Sequence, residues 1–254
     1  MDDLLAAYDD QLRGDAEVRS ALRTMRLGPA LLAVFPDGFG FITCRDLPPG
    51  DPAPFVRDAL DRLRADADVR VVEWKTRAHD RAPGLLEALA AAGFEEGEAE
   101  SIMIGEARLL ARDVPLPEGV RLRRMTSPDD VRAASAMADQ VFGDPVSEDR
   151  AEDLLRRIAR GGELWAAESG GEVVSTGRLE PVPGTAFAGL WGGATRADHR
   201  HRGIYRALTA ARARSALDRG IRYLSSDSTE FSRPILERSG FRRVSSTTPW
   251  EWRR

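Results

Sequence analysis

Apolar and polar positions change period repeatedly along this chain, and the changes mark its elements. In the second half, "VRLRRM" alternates like a strand. "TSPDDVRAASAMADQVF" then predicts a helix with Ser127 as N-cap and Pro128 at the first helical position. A second helix, "SEDRAEDLLRRIAR", opens with Ser147 and ends at Gly161-Gly162. The runs "ELWAAES", "EVVSTGRLE" and "TAFAGLWGGAT" predict three short strands joined by Gly-Gly and Pro-Gly turns. The helix after Gly203 carries Ile204, Leu208 and Ala211 on one face and stops at Gly220, a natural C′ residue. "IRYLSS" reads as a strand, "RPILERSGF" as a short helix ended by Gly240, and "STTPWEW" as a final extended segment. Met103 and Met125 fall at strand-core positions, Trp165 and Trp191 on core strands, and Trp250 and Trp252 on the last strand, where one of the two is expected to face inward.

The first half repeats part of this order. Gly93-Phe94 can be laid on Gly240-Phe241, "RVVEW" on "IRYLS", and the helix "PFVRDALDRLRA" on the helix after Gly203. Three consecutive elements in one order predict a duplication. The linker-like "DVPLPEGVRL", with two prolines and a glycine, puts a boundary near Pro117. The expected domains are therefore 1–116 and 117–254, the second a mixed α/β (α+β) unit and the first a degenerate copy of it.

Composition narrows the functional classes. A formal net charge of −4 supplies no basic footprint for nucleic acid. No run of about 18 apolar residues is present, and "MDDLLAAYDD" is acidic where a signal peptide is basic, so a cytoplasmic protein without membrane association is expected. Cys44 lies in the apolar run "FGFITC" and reads as a buried thiol. His79, His199 and His201 come without the ligand spacing of a metal site, and no metal is expected. His79 reads as a structural residue at a helix start.

Against the acidic background, "DHRHRGIYRAL" concentrates positive charge at the start of a helix. The first N–H groups of a helix lack intrahelical partners and carry partial positive charge, so they hold an anion. Arg200, Arg202 and Arg206 would be unfavourable there without one, and Gly203 permits close approach. Guanidinium groups match phosphate oxygens, so the turn reads as a phosphate cradle. At the equivalent place the first half has "CRDLPPGDPAPF", whose aspartates repel such a ligand. One phosphate site per chain is expected.

"LWGGATRADHRHRGIYRALTAAR" resembles the acyl-CoA signature of the GNAT N-acyltransferase superfamily, Gln/Arg-x-x-Gly-x-Gly/Ala between a strand and a helix. Arg200 fills the first position and Gly203 the central one, while Tyr205 replaces the last small residue. "SRPILERSGF…TTPWEW" resembles the closing helix and strand of the superfamily, and "EWKTRAHD" resembles two-part members of it. The resemblance implies the GNAT fold in the second half and a degenerate GNAT-like lobe in the first. It implies acetyl-CoA as co-substrate, with Gly193, Ala194 and Thr195 binding the pantetheine arm through backbone groups. His201, Arg202, Gly203, Ile204, Tyr205 and Arg206 would wrap the diphosphate, with Ser232 a small residue beside the cofactor.

Acyl transfer to an amine needs a deprotonated nucleophile, a polarised carbonyl and a proton for the departing thiolate. The resemblance places splayed strands around the thioester, with a backbone donor near Ala194 or Thr195. Many relatives carry a tyrosine as acid where this chain has Leu236, so Tyr205, Ser232 and Ser228 are the candidates. For the base, Asp227 at the end of "IRYLSS" stands against a second reading as a helix cap, with Glu230 and Glu180 behind it. The expectation is an N-acetyltransferase acting by direct attack in a ternary complex on a small-molecule or peptide amine, as a monomer or homodimer. The rivals are a non-catalytic acyl-CoA-binding or regulatory module and a binder of some other nucleotide.

Overall fold

The computed structural model describes residues 2–254. In chain order the first elements are α1 (Asp2–Leu12), β1 (Arg23–Leu27), β2 (Ala30–Val34), β3 (Phe39–Thr43), α2 (Ala53–Arg64), β4 (Val71–Arg77), α3 (Leu85–Ala91), β5 (Glu95–Glu96), β6 (Glu100–Glu106) and α4 (Ala107–Leu110). They are followed by β7 (Val120–Met125), α5 (Pro128–Phe142), α6 (Glu148–Ala159), β8 (Glu163–Ser169), β9 (Glu172–Pro181) and β10 (Phe187–Thr195). The chain closes with α7 (Ile204–Asp218), β11 (Tyr223–Ser228), α8 (Arg233–Ser239) and β12 (Arg242–Arg253). From residue 119 onward this is the element order the sequence predicts.

The chain divides into two compact units. The first holds Met1–Ile102, Asp227–Glu230 and Arg243–Arg254; the second holds Met103–Ser226 and Phe231–Arg242. The cut runs through β6, and the linker-like residues 113–122 lie inside the second unit.

In the first unit, β1–β2 and β2–β3 pair antiparallel, β3–β4 parallel, and β4 pairs antiparallel with β12. The core lies under α2 and α3, whose buried Val56, Leu60, Leu63, Leu85 and Leu89 meet Leu32, Ile42, Val72 and Trp74 of the sheet. Trp250 and Trp252 both pack on this core. The expectation that only one faces inward is corrected by strand geometry, since residues two apart share a face.

In the second unit, β7–β8, β8–β9 and β9–β10 pair antiparallel and β10–β11 parallel. One side of the sheet packs on α4, α7 and α8 through Leu179, Leu190, Ala213, Leu224, Leu236 and Phe241. The other packs Leu164 and Ala166 on Val131 and Ala134 of α5 and on the apolar side of α6. Ser127 caps α5 by accepting from the Asp130 N–H, and Ser147 caps α6 by accepting from the Arg150 N–H.

The two halves share their local design. Leu89 O accepts the Phe94 N–H at 3.0 Å and Leu236 O accepts the Phe241 N–H at 3.0 Å. Gly93 and Gly240 hold the left-handed φ of 86° and 111° that lets each helix turn into its strand. The fold class is thus mixed α/β, with one strand-helix-strand-helix plan used twice.

Candidate active site

The site is built where β10 runs into α7. The β10–β11 ladder covers only Phe187, Ala188 and Gly189, opposite Tyr223, Leu224 and Ser225. Ser226 Oγ donates to Leu190 O at 3.0 Å, just past the last pair. Beyond that point, among the described residues, β10 continues to Thr195 paired on its β9 side alone, so its other backbone edge is open. The same strand carries a bulge: Trp191 pairs with Arg178 and Ala194 with Thr176, so Gly192 and Gly193 stand opposite the single residue Gly177. Paired glycines inside a strand are the sequence mark of such a place.

The end of β10 is pinned from outside the bulge. Ser175 Oγ donates to Ala194 O at 2.8 Å and lies 2.8 Å from Thr195 Oγ1. Arg200 Nε donates to Thr195 O at 3.0 Å, so this arginine ties the following turn back to the strand. Arg196 pairs with Glu172 and Asp198, and His199 faces Asp198.

The turn itself is left-handed at two places, His201 with φ 60° and Gly203 with φ 79°. His201 is the single non-glycine residue with positive φ among the described residues, a conformation costly for a residue with a Cβ. The α7 N-cap is Gly203, with no side-chain capping bond. The first main-chain bond of the helix runs from Ala207 N to Gly203 O, so the N–H groups ahead of it keep their hydrogens for an outside acceptor. Arg202 and Arg206 are exposed at this turn and make no ion pair among the described residues. Tyr205 lies over the bulge: a Cβ on Gly193 would stand 2.6 Å from its Cε2. The bulky residue in the small-residue slot is therefore matched by a glycine beneath it.

Residues 121–244 match the family model described as Acetyltransferase (GNAT) domain. This stretch, just under half of the chain, is similar to GNAT acetyltransferase domains. Members of that family transfer acyl groups from acyl-CoA. Over the whole length the fold is similar to that of a GCN5-related N-acetyltransferase from Kribbella flavida. The TM-score is 0.74 at 19% identity, covering 98% of this chain and 94% of that one. A conserved protein of unknown function from Staphylococcus epidermidis gives a TM-score of 0.71 at 13% identity, covering 95% and 98%. A tandem GNAT protein of the clavulanic acid biosynthesis pathway gives 0.66 at 17%, covering 99% and 93%. No curated protein matches the chain.

With the GNAT fold established, the remaining candidates find their places. Gly193, Ala194, Thr195, Arg200, His201, Arg202, Gly203, Ile204, Tyr205 and Arg206 all lie on the β10 end, the turn and the first turn of α7. Ser232 is the N-cap of α8, its carbonyl accepting the Ile235 and Leu236 N–H groups. Leu236 is 1% exposed and belongs to the α7–α8 core. Glu180 is paired with Arg178 and Arg157. Asp227 belongs to the first unit, where Lys75 Nζ reaches its Oδ2 at 2.7 Å. The reading of Asp227 as a helix cap is corrected, because Ser232 holds that position. His79 is corrected too. It follows β4 rather than starting a helix, and its ring nitrogens face Ser245 Oγ at 2.6 Å and Asp9 Oδ1 at 3.1 Å.

The equivalent end of the first unit differs in three respects. β3 and β4 pair along all of Phe39–Thr43 and are joined further on by the Asp46–Arg81 bridge. The Asp51 carboxylate accepts the Ala53 N–H at 2.9 Å, so this helix start carries its own anion. Arg13 fills the region with bonds to Cys44 O and Asp80. Burial pushes the Cys44 thiol up to about 11, which keeps it protonated and unreactive at neutral pH.

Sequence reasoning missed Gly177, Arg212 and Lys75. Arg212 had a signal, a charged residue in the apolar run "ALTAARARSAL". Lys75 had another, as the one lysine in a total of 37 lysines and arginines.

Proposed function

We propose that the chain is an N-acetyltransferase that passes the acetyl group of acetyl-CoA directly to a primary amine of a small molecule or peptide. The observation that carries this reading is the uncapped start of α7 beside the open edge of β10. A left-handed turn with unspent N–H groups and the exposed Arg202 and Arg206 fits a diphosphate. The β10 edge that faces away from β9, along Gly193, Ala194 and Thr195, fits an amide-bearing arm that bonds along a strand edge.

Bound there, acetyl-CoA supplies an acyl group activated as a thioester. The chain's part is to hold and to move protons. The N–H groups at Gly203 to Arg206 hold the phosphates, and Arg200 keeps the turn in place through Thr195 O. A backbone N–H near Ala194 or Thr195 polarises the carbonyl oxygen. Asp227 is the proposed acceptor of the amine proton and Tyr205 Oη the proposed donor to the departing sulfur, with Ser232 beside the cofactor.

The buried Leu236 favours a second reading, a non-catalytic acyl-CoA-binding or regulatory module, since that position offers no proton. Calorimetric titration with CoA and with ADP, together with thiol release over a panel of amines, polyamines, aminoglycosides and peptides, separates the readings. CoA binding with turnover on an amine supports the enzyme, and CoA binding without turnover supports the module. ADP bound as tightly as CoA removes both.

A further inference from the structure

Arg212 is 0% exposed, and no carboxylate lies within ion-pair distance of it among the described residues. A guanidinium withdrawn from water without a counter-charge is costly, so its neutral partners deserve an explanation. Nη1 donates to Arg178 O at 3.0 Å, Nη2 to Thr209 Oγ1 at 3.3 Å and Nε to Leu208 O at 3.3 Å. Its guanidinium carbon lies 5.7 Å from the centroid of the Tyr205 ring.

These partners surround one feature. Arg178 is the last residue of β9 in register with β10 before the bulge, and Gly177 is the residue the bulge skips. A Cβ on Gly177 would stand 2.5 Å from Arg212 Nη1, so glycine is what admits the guanidinium. On the other side of the bulge, Tyr205 closes on Gly193. Gly177, Arg212, Tyr205 and Gly193 thus form a chain of contacts from the β9 side of the break to the β10 side. A bulge leaves backbone groups without ladder partners, and a guanidinium brings several donors to them in a fixed fork.

We propose that Arg212 is a positioning residue of the acyl-CoA site: it locks the Gly192–Gly193 bulge through the Arg178 carbonyl and the Tyr205 ring, and so keeps the β10 edge available to the ligand. The proposal rests on the reading of that edge as the acyl-CoA site. Burial pushes the guanidinium below its usual range, opposed by Tyr205 and reinforced by the charge of Arg178, in keeping with a group held for its geometry. A side chain kept only to fill the core would be replaced by methionine without effect on the bulge.

The test uses the full chain with R212M, R212K and G177A, the last of which displaces the guanidinium while leaving it in the chain. CoA affinity is measured by calorimetry, and the amide resonances of Gly192, Gly193 and Ala194 are followed in the free proteins. The expected result is a loss of about tenfold or more in CoA affinity for R212M and G177A, with R212K between them and wild type. The three amides shift in the same variants while those of β7 and α5 stay in place. If R212M does not fold, R212K and G177A decide. Unmoved bulge amides overturn the proposal, and so does wild-type CoA affinity in folded variants. Should the wild-type chain itself not bind CoA, the proposed function falls and the Arg212 lock is judged on the amides alone.

Discussion

Lys75 Nζ stands 2.7 Å from Asp227 Oδ2, an ion pair that joins residues 152 positions apart. Both side chains are mostly withdrawn from solvent, and Tyr8, Arg77 and Glu100 lie in the same cluster. Burial and the neighbouring Asp227 charge raise the Glu100 carboxyl, with Lys75 opposing them. The Lys75 ammonium stands as a counter-charge beside Asp227.

Removing one partner of this pair strands the other, so K75M should destabilise the protein by about 3 kcal/mol. D227N, which keeps the size, should lower turnover by at least about a hundredfold while leaving CoA affinity unchanged. Denaturant unfolding and steady-state kinetics with calorimetry check the two. Wild-type turnover in D227N would remove Asp227 from the chemistry.

The pH behaviour of the pair follows from the lysine. Burial lowers the Lys75 ammonium, but the Asp227 and Tyr8 charges outweigh it and the net direction is up. A raised lysine contributes stability that is complete below its unfolded pKa and is lost as pH rises through the folded value. The stability difference between wild type and K75M should therefore be flat from about pH 7 to pH 9 and shrink only in strong alkali. Urea titrations across that range measure it.

Gly203 with φ 79° has no room for strain-free substitution, although the space around its Cβ position is open. G203A should cost about 1–2 kcal/mol of stability from the left-handed backbone alone. G203E adds a negative charge where phosphates are expected and should abolish CoA binding. Thermal melts and calorimetric titration report the two effects separately.

Glu163 collects the Trp165 Nε1 donor at 2.7 Å, the Ser215 hydroxyl at 2.7 Å and Arg219 at 3.2 Å. Burial raises its carboxyl, but the bonds from Trp165 and Ser215 and the charges of Arg124 and Arg219 outweigh it and the net direction is down. A depressed carboxyl contributes stability above its unfolded pKa that is lost as pH falls through the folded value. E163Q should therefore lose stability at neutral pH and lose less than wild type on acidification below about pH 4. The same acid-limb experiment applied to D9N reads the contacts of Asp9 with His79 and Arg13, since there too burial is outweighed and the carboxyl is held low.

Much of the second unit was legible because its signals are local. Ser127 and Ser147 cap the helices they precede, Gly220 and Gly240 follow the helices they end, and "HRHRG" stands at a helix start. Each depends on groups within a few residues. The burial of Arg212 was not legible, because an arginine on a helix face looks the same whether it meets water or a strand carbonyl. The partners of His79 were hidden for the same reason, with Ser245 166 positions away.

By itself the sequence determined the order of elements from residue 119 onward, the ends of most of those helices and the gathering of arginines at the turn before Gly203, because hydrophobic period and capping act between near neighbours along the chain. The tertiary structure alone decided that β12 pairs with β4 in the first unit, that β10 leaves β11 after Gly189, and that Lys75 meets Asp227. Those outcomes turn on which strand edges find each other and on which charges lose their water together. Edges carry the same N–H and C=O groups in every strand, so only the packed chain chooses among them.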